Sequence, residues 1–328
     1  MKRSHRSGEG APSGIGRRVL GLLLILTAVL LALSRQPDWP VQALVARWAP
    51  APSNFIDVKG QQVHVRDEGL PGDPLPIVLI HGTSASLHTW EGWVRALKGQ
   101  RRVITLDLPG FGLTGPFTGQ YTSDDYRGDT YARFVLDLMD TLKVQRAVLG
   151  GNSLGGEVAW RIASIAPQRV ASLVLVDAAG PAYTPESIPL GFRIARIPVL
   201  NRISEFALPR SMVAEGLANV YADPTRIKPE LVDRYFELTL REGNRRALRH
   251  RMQDVVAGEG AERIGQLQQP TLILWGRQDK LIPPAVGQEF QRLIKGSQLV
   301  VLDNLGHVPQ EEDPVRSVAP VKVFLGVR

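Results

Sequence analysis

Short runs of apolar residues recur along the chain from about residue 55, and longer amphipathic stretches separate them. The runs rich in Val, Ile and Leu cover residues 77–80, 103–106, 147–149, 173–176, 271–275 and 299–302. Continuous apolar runs of this length are typical of strands buried on both faces of a parallel sheet. Residues 55–58 and 62–66 flank a Lys59-Gly60 turn and predict a β-hairpin. The pattern predicts a doubly wound α/β domain with a mostly parallel sheet.

The alternation of strands and helices stops between residues 182 and 266. Segments 230–242 and 244–255 have helical spacing, and prolines interrupt the rest of this stretch. The pattern predicts a helical cap over residues 182–266, inserted between two strands. The core is then expected in two parts, residues 55–181 and 267–328.

The N-terminal segment has the pattern of an export signal. A basic stretch precedes residues 19–33, fifteen residues without a charge. A helix of that length spans ~22 Å, whereas a hydrocarbon core is ~30 Å thick. We expect residues 1–36 to form a basic tail and membrane anchor helix, with the globular part on the periplasmic or extracellular side. The alternatives are secretion after cleavage near Ala32-Leu33-Ser34, or a helix packed in a soluble core.

Residues 37–54 are predicted to form an amphipathic linker that carries Trp39 and Trp48. These tryptophans lie either at a membrane surface or in a helix docked on the domain.

Composition excludes several classes of function. The net charge is +7, but the first eighteen residues contribute +4 of it, and basic and aromatic residues are not interleaved, so nucleic acid is not an expected partner. The absence of cysteine excludes disulfides, thiolate metal sites and a cysteine nucleophile. No metal-ligand cluster or phosphate-loop motif occurs in the sequence, so neither a metal nor a cofactor is predicted.

The strongest chemical signal is the segment from Gly151 to Gly155, with Ser153 at its centre. It follows an apolar strand and opens an amphipathic helix. A Gly-x-Ser-x-Gly turn needs this context, because the serine backbone is strained and larger neighbours would collide. The turn lifts the serine oxygen beside a helix N-terminus, which favours negative charge. Ser153 is therefore the predicted nucleophile, and the alternative is an ordinary helix N-cap.

From about residue 55 to its end, the chain resembles the α/β-hydrolase superfamily, particularly bacterial esterases and carbon–carbon bond hydrolases that share Gly-Asn-Ser-x-Gly-Gly. Besides the serine turn, the motifs that carry the resemblance are His81-Gly82, Asp107-Leu-Pro-Gly-Phe-Gly112, Trp275-Gly-Arg-Gln-Asp279 and Gly306-His307. Thr114 is a departure, since the family usually has serine there.

The order of the superfamily triad is serine, acid, histidine. His307 follows the last apolar strand, where open α/β sheets place functional groups, and is the predicted base. Asp279 is the predicted acid, and its rival is Asp177, at a strand end that some lipases use. Asp279 would fix the imidazole tautomer, and His307 would take the proton of Ser153.

The oxyanion of such a reaction needs two backbone donors. The N–H of Leu154, directly after the nucleophile, is the first. The resemblance implies that Thr83, which follows His81-Gly82, supplies the second, with Ser84 as its neighbour. His81 is expected to order this loop by hydrogen bonding.

The predicted function is hydrolysis of carboxylic esters of small or medium apolar acyl groups through an acyl-enzyme. The alternatives are a carbon–carbon bond hydrolase of vinylogous diketones, a catalytically silent binding protein on the same fold, and an acyltransferase or perhydrolase. The expected partners are a small-molecule ester and, through the N-terminal helix, a membrane.

The cap sequence combines arginines with apolar residues. The arginines either face anionic lipid headgroups or pair with acids such as Glu205 and Asp233. Apolar residues between positions 188 and 200 are expected to line an acyl pocket or to pack on the core.

Overall fold

The structure is a computed structural model that describes residues 14–33, 35–122, 125–197, 200–203 and 205–327. The basic residues before position 14, Ser34 of the predicted cleavage site, and Val199 of the predicted pocket lie outside the described residues.

The centre of the protein is one eight-stranded sheet in the order β1-β2-β4-β3-β5-β6-β7-β8. The strands are β1 (Ser53–Val58), β2 (Gln61–Gly69), β3 (Ile77–Ile80), β4 (Arg102–Leu106), β5 (Ala147–Asn152), β6 (Val170–Val176), β7 (Thr271–Gly276) and β8 (Gln298–Leu302). Strand β2 pairs antiparallel with β1 and β4, and all other pairs are parallel. The predicted hairpin and the mostly parallel sheet are confirmed.

Helices precede, connect and follow the strands. They are α1 (Gly14–Leu33), α2 (Val41–Trp48), α3 (Glu91–Leu97), α4 (Gly128–Thr141), α5 (Leu154–Ile165), α6 (Leu190–Arg196), α7 (Leu200–Ile203), α8 (Arg210–Val220), α9 (Pro229–Thr239), α10 (Asn244–Asp254), α11 (Pro284–Leu293), α12 (Pro309–Glu312) and α13 (Pro314–Leu325).

The sheet is covered on both faces. Alternate residues of its central strands join one apolar cluster with Phe134 of α4, Val158 of α5 and Phe290 of α11. The remaining strand residues join a second cluster with Trp93 of α3 and Val318 of α13. Burial on both faces explains why these strands are continuous apolar runs in the sequence.

The stretch between β6 and β7 contains helices α6 to α10. The parallel strands β5 to β8 all end at the same edge of the sheet. The inserted helices begin after the carboxyl end of β6, at that edge. Ser153, Asp177, Asp279 and His307 all follow the carboxyl ends of these strands, where open α/β sheets bind ligands.

Helix α1 is 20 residues long, but Arg17 and Arg18 lie in its first turns. Its uncharged part is therefore only about 22 Å long, shorter than a hydrocarbon core of about 30 Å. Across the described residues, we find no helix with the length and apolar character needed to cross a membrane. The predicted membrane-spanning anchor within residues 1–36 is thus not supported. Export of the domain stays a prediction.

Helix α2 packs on the domain, as one of the two alternatives for this stretch predicts. Leu44 is buried, and the Trp48 indole donates a 2.7 Å hydrogen bond to Glu237 of α9. The Trp39 N–H donates to the Leu240 carbonyl at 2.7 Å.

Candidate active site

Ser153 lies between β5 and α5 in a strained backbone conformation, with φ 55° and ψ −117°. Ser153 occupies the N-cap position of α5, but its side chain makes no capping hydrogen bond, as an ordinary N-cap serine would. The hydroxyl is left available at the start of a helix, where N–H groups and the helix dipole favour a developing negative charge.

Two glycines allow the close approach of loops around Ser153. A Cβ on Gly155 would lie 2.0 Å from the Ile80 carbonyl oxygen, so only glycine lets α5 begin against the end of β3. A Cβ on Gly82 would lie 3.1 Å from the Ser153 Cβ. The loop after β3 therefore runs directly beside the serine.

His307 and Asp279 form a buried pair. The imidazole Nδ1 lies 2.7 Å from Asp279 Oδ2, and the Asp279 Oδ1 accepts the N–H groups of Leu281 and Ile282 at 2.8 and 2.9 Å. Because the carboxylate accepts at Nδ1, that nitrogen carries the proton and Nε2 is left as an acceptor.

Asn152 connects the serine turn to the histidine loop. Its side-chain amide donates to the carbonyl of His307 at 2.9 Å and to the carbonyl of Val176 at 3.2 Å. Among the described residues, no hydrogen bond joins Ser153 Oγ to His307 Nε2. Such bonds often tighten only when a substrate binds.

The structure separates the two acid candidates. Asp177 accepts the N–H of Gly276 at 2.9 Å and makes no hydrogen bond to His307. Asp177, Asp279 and His307 bring potential metal-ligating atoms within 4.8 Å of one another, but His307 Nδ1 and Asp279 already bind each other. Of the two candidates, Asp279 is thus the carboxylate that contacts the imidazole of His307.

Within the described part of the chain, the two predicted oxyanion donors have no other hydrogen-bond partner. Leu154 is the first residue of α5, so its N–H has no acceptor within the helix. Thr83 lies in the turn after β3, and no described residue accepts its N–H. Ser84 has φ 60°, a left-handed conformation that turns the loop beside Ser153.

His81 orders this loop, as predicted. Its Nδ1 donates to the Gly82 carbonyl at 2.7 Å, and its Nε2 accepts the N–H of Leu108 at 2.9 Å. Burial lowers the pKa of His81, although the charge of Asp107 opposes that shift. The imidazole is therefore neutral, with its proton on Nδ1.

A second serine–histidine–aspartate cluster lies on the hairpin. His64 Nδ1 is 2.7 Å from Asp107 Oδ2, and Ser53 Oγ is 2.9 Å from His64 Nε2. Ser53 lies within β1, and the Arg66 guanidinium donates to its oxygen at 2.9 Å. A nucleophilic serine turn also needs a helix that begins directly after the serine, and Ser53 is followed by the rest of strand β1 instead.

Asp107 directly follows β4, and its side chain binds backbone groups of two separate loops. It accepts the N–H groups of Leu87 and Leu113 at 2.7 and 2.8 Å. Burial raises the pKa of Asp107, yet the neighbouring His64 imidazole holds that pKa below its usual range.

An apolar cavity of about 300 Å³ is lined by cap residues and, outside the cap, by Ser84. Its apolar lining comes from α6, α8 and neighbouring residues, including Phe192, Ile194, Leu208, Met212, Leu217 and Leu248. Ser84 and Val220 also line it, and the Val220 carbonyl accepts the His307 N–H at 2.7 Å. The cavity thus reaches the loop after β3 through Ser84, and it lies one hydrogen bond from the His307 backbone through Val220.

Glu312 supports the histidine loop and was missed by sequence reasoning. Its carboxylate accepts the N–H groups of Gly306, Ala222 and Asp223 at 2.8, 3.1 and 2.8 Å. It therefore binds the His307 loop to the cap. The sequence does place Glu312 five residues after His307, which could have indicated a supporting role. Acidic residues are common in the first turn of a helix, however, so this position alone was not informative.

Cap arginines pair with carboxylates, as one of the two alternatives predicts. Arg210 pairs with Asp233 and Arg249 with Glu205. Arg251 pairs with Glu157 of α5 at 2.9 Å and so connects the cap to the core.

Comparisons with known proteins agree with this geometry. Residues 76–314 match the family model described as alpha/beta hydrolase fold. The chain is 30% identical over 257 residues to the 2-hydroxy-6-oxo-2,4-heptadienoate hydrolase of Pseudomonas putida, covering 76% of this chain and 88% of that protein.

Solved structures are also similar. A thermophilic esterase from Thermogutta terrifontis has a TM-score of 0.68 at 25% identity, over 84% of this chain and 98% of the esterase. A membrane phospholipase A, described as a bacterial virulence factor, has a TM-score of 0.68 at 25% identity, over 95% and 98% of the two chains. The family model covers well over half of the sequence, so the chain belongs to the α/β-hydrolase family.

Proposed function

We propose that the protein is a serine hydrolase that cleaves carboxylic esters of small or medium apolar acyl groups. The observation that carries this proposal is the apolar cavity of about 300 Å³, which is lined by Ser84 of the loop after β3 and by Val220, whose carbonyl binds the His307 N–H. A cavity of this volume and lining suits an acyl chain, because burying each methylene is worth about 0.8 kcal/mol.

The contacts of the site support an acyl-enzyme route. His307 holds its proton on Nδ1 against Asp279, so Nε2 is free to take the proton of Ser153 as its oxygen attacks the ester carbonyl. The N–H groups of Leu154 and Thr83 would receive the negative charge on the carbonyl oxygen. His307 then gives the proton to the leaving alcohol, and water releases the acyl group.

A carbon–carbon bond hydrolase is the second candidate, because the Pseudomonas putida relative is named for a 2-hydroxy-6-oxo-2,4-heptadienoate. That substrate carries a carboxylate, which calls for a free cation. Arg245 is the cation among the described residues that line the cavity; it pairs with Asp38, and its Nη1 has no hydrogen-bond partner. The rest of the lining is largely apolar, which favours a neutral acyl group over one that carries a carboxylate.

Full-length protein should be tested with p-nitrophenyl esters of increasing chain length, beside a vinylogous diketone acid. We expect kcat/KM to rise from the acetate to medium-length esters and the diketone to stay at background. Turnover of the diketone alone would contradict the proposal. No turnover of either, together with no labelling by a fluorophosphonate, would favour a silent binding protein.

A further inference from the structure

Asp177 is a buried carboxyl that the proposed mechanism does not use. It follows β6, is 0% exposed, and has a left-handed backbone with φ 44°. Its N–H donates to the Leu274 carbonyl at 2.9 Å, and its Oδ1 accepts the N–H of Gly276 at 2.9 Å. Both bonds go to β7, so the side chain is fixed beside the strand that carries Asp279.

The other carboxyl oxygen, Oδ2, is buried and accepts no hydrogen bond from the described residues. No lysine or arginine among them forms an ion pair with Asp177. The titratable groups beside it are the acidic Asp279, after β7, and Glu312, on α12, together with the imidazole of His307, which is bound to Asp279. An ionised Asp177 would be an uncompensated buried charge, which is strongly unfavourable.

Asp279 lies beside Asp177, at the neighbouring ends of β7 and β6. Oxygens of the two carboxyls and a nitrogen of His307 all lie within 4.8 Å of one another. Two buried carboxyls at this separation do not both ionise. Asp279 accepts two backbone N–H groups and the imidazole N–H, whereas Asp177 accepts one N–H. The negative charge therefore belongs on Asp279.

We propose that Asp177 is a positioning residue that carries a proton in the resting enzyme and donates a hydrogen bond from Oδ2 to the carboxylate of Asp279. The link to catalysis rests on the proposed function, in which Asp279 orients His307. Burial, followed by the charge of Asp279, raises the pKa of Asp177 well above its usual value, in agreement with this assignment.

The hydrogen bond has two consequences for the site. It holds Asp279 in the orientation that faces His307 Nδ1. It also disperses part of the carboxylate charge, so that Asp279 attracts a protonated imidazole less strongly than a carboxylate without this bond. Asp177 thereby sets how readily His307 is kept in the neutral form that accepts the serine proton.

Asparagine is the matched replacement. In Asp177→Asn the amide oxygen accepts the Gly276 N–H and the amide nitrogen donates where Oδ2 does. Asparagine also tolerates a left-handed backbone. Asp177→Ala removes both the acceptor and the donor.

The proton is tested by infrared difference spectroscopy of full-length wild type against Asp177→Asn at pH 7. We expect the wild type to have the carbonyl band of a protonated carboxylic acid that the variant lacks. Absence of that band from the wild type, or its persistence in the variant, would overturn the proposal. This measurement needs no substrate, so it stands whether or not the protein hydrolyses esters.

The positioning role is tested by pH profiles of ester hydrolysis. Asp177→Asn should stay within about threefold of wild type, whereas Asp177→Ala should lose about ten- to hundredfold in kcat, as expected for a charge-assisted hydrogen bond. The acidic limb of kcat/KM should move to higher pH in Asp177→Ala alone.

Equal losses in both variants with unchanged pH profiles would reduce Asp177 to a structural residue and overturn the positioning role. If Asp177→Ala does not fold, a silent Asp177→Asn would overturn it equally. If the wild type cleaves none of the esters, the proposed function fails, and the infrared result still decides where the proton is.

Discussion

The side-chain amide of Asn152 donates a 2.9 Å hydrogen bond to the backbone carbonyl of His307. Asn152 ends β5 directly before Ser153, whereas His307 follows β8, and strands β6 and β7 lie between them in the sheet. The same amide also holds the end of β6 through the Val176 carbonyl. One buried side chain thus fixes the serine turn relative to the histidine loop.

Asn152→Ala should therefore lower kcat by about ten- to hundredfold and the free energy of unfolding by about 1–3 kcal/mol, because the His307 carbonyl loses its donor and the Val176 carbonyl keeps only the Ser153 N–H. Steady-state kinetics and urea unfolding measure the two effects. Asn152→Asp has the same shape but offers no donor when ionised, so it should be no more active than Asn152→Ala. Wild-type kcat in Asn152→Ala would show that alignment of the site does not depend on this amide.

Ser153→Ala should abolish ester hydrolysis, with a loss on the order of 10⁶ in kcat, since the serine oxygen forms the acyl-enzyme. The second cluster offers a matched control, because Ser53 also has a histidine and an aspartate behind it. Ser53→Ala should keep kcat and labelling by a fluorophosphonate. Labelling that survives in Ser153→Ala and is lost in Ser53→Ala would move the nucleophile to the hairpin.

The central strands β3 to β7 could be predicted because they are largely apolar runs buried on both faces. The serine turn was equally visible, because its Gly-x-Ser-x-Gly sequence is local, and the contact that requires Gly151 is with the nearby Gly155 carbonyl. These features are encoded by neighbouring residues.

Features that depend on distant contacts were harder to predict. Asp177 and Asp279 both follow strands, and only the contact between Asp279 and His307 separates them. The supporting role of Glu312 depends on the cap backbone at Ala222 and Asp223. The apolar stretch at 19–33 predicted an anchor, but the uncharged part of this helix is shorter than the hydrocarbon core of a membrane.

Asp279→Asn should lower kcat by about 10⁴, the loss that the equivalent change causes in serine proteases, because asparagine favours the wrong imidazole tautomer. A single activated ester suffices to measure it, with thermal unfolding to confirm that the variant folds. The matched variant is Asp177→Asn, which should remain active. Retention of more than about a tenth of wild-type kcat in Asp279→Asn would exclude it as the orienting acid.

Gly216 is a position at which a larger side chain would fill the apolar cavity. It lies within α8, lines the cavity, and a Cβ there would have only the Pro189 side chain near it, at 3.9 Å. Gly216→Leu should fill part of the cavity and lower kcat/KM for medium-length esters by about 10- to 100-fold.

The acetate ester should be hydrolysed at the wild-type rate by Gly216→Leu, and Gly216→Ala should have a smaller effect on the longer esters. Both changes also improve helix propensity, by about 0.5–1 kcal/mol, so lost activity would not reflect unfolding. An unchanged chain-length preference would place the acyl group elsewhere.

His88 connects α2 to the loop after β3, and its charge state sets the acid stability of that contact. Its Nε2 donates to the Trp48 carbonyl at 2.8 Å, and its Nδ1 lies 3.0 Å from the Ser86 hydroxyl. Burial lowers the pKa of His88 from 6.5 to about 4, although the charge of Asp107 opposes the shift. The folded protein therefore keeps this imidazole neutral at pH values where the unfolded chain protonates it.

The sign of the pH dependence follows from that difference. Between about pH 6.5 and pH 4 the unfolded chain binds one more proton at this position, so the free energy of unfolding should fall on acidification by up to about 1.4 kcal/mol per pH unit. His88→Gln keeps a donor for the Trp48 carbonyl and does not titrate. In urea unfolding, the wild type should therefore lose about 2 kcal/mol more than the variant between pH 6.5 and 4.5. The buried His81, whose pKa is also lowered, remains in both proteins, so the variant keeps some pH dependence. Parallel losses in the two proteins over this range would mean that His88 is not the group whose protonation destabilises the fold.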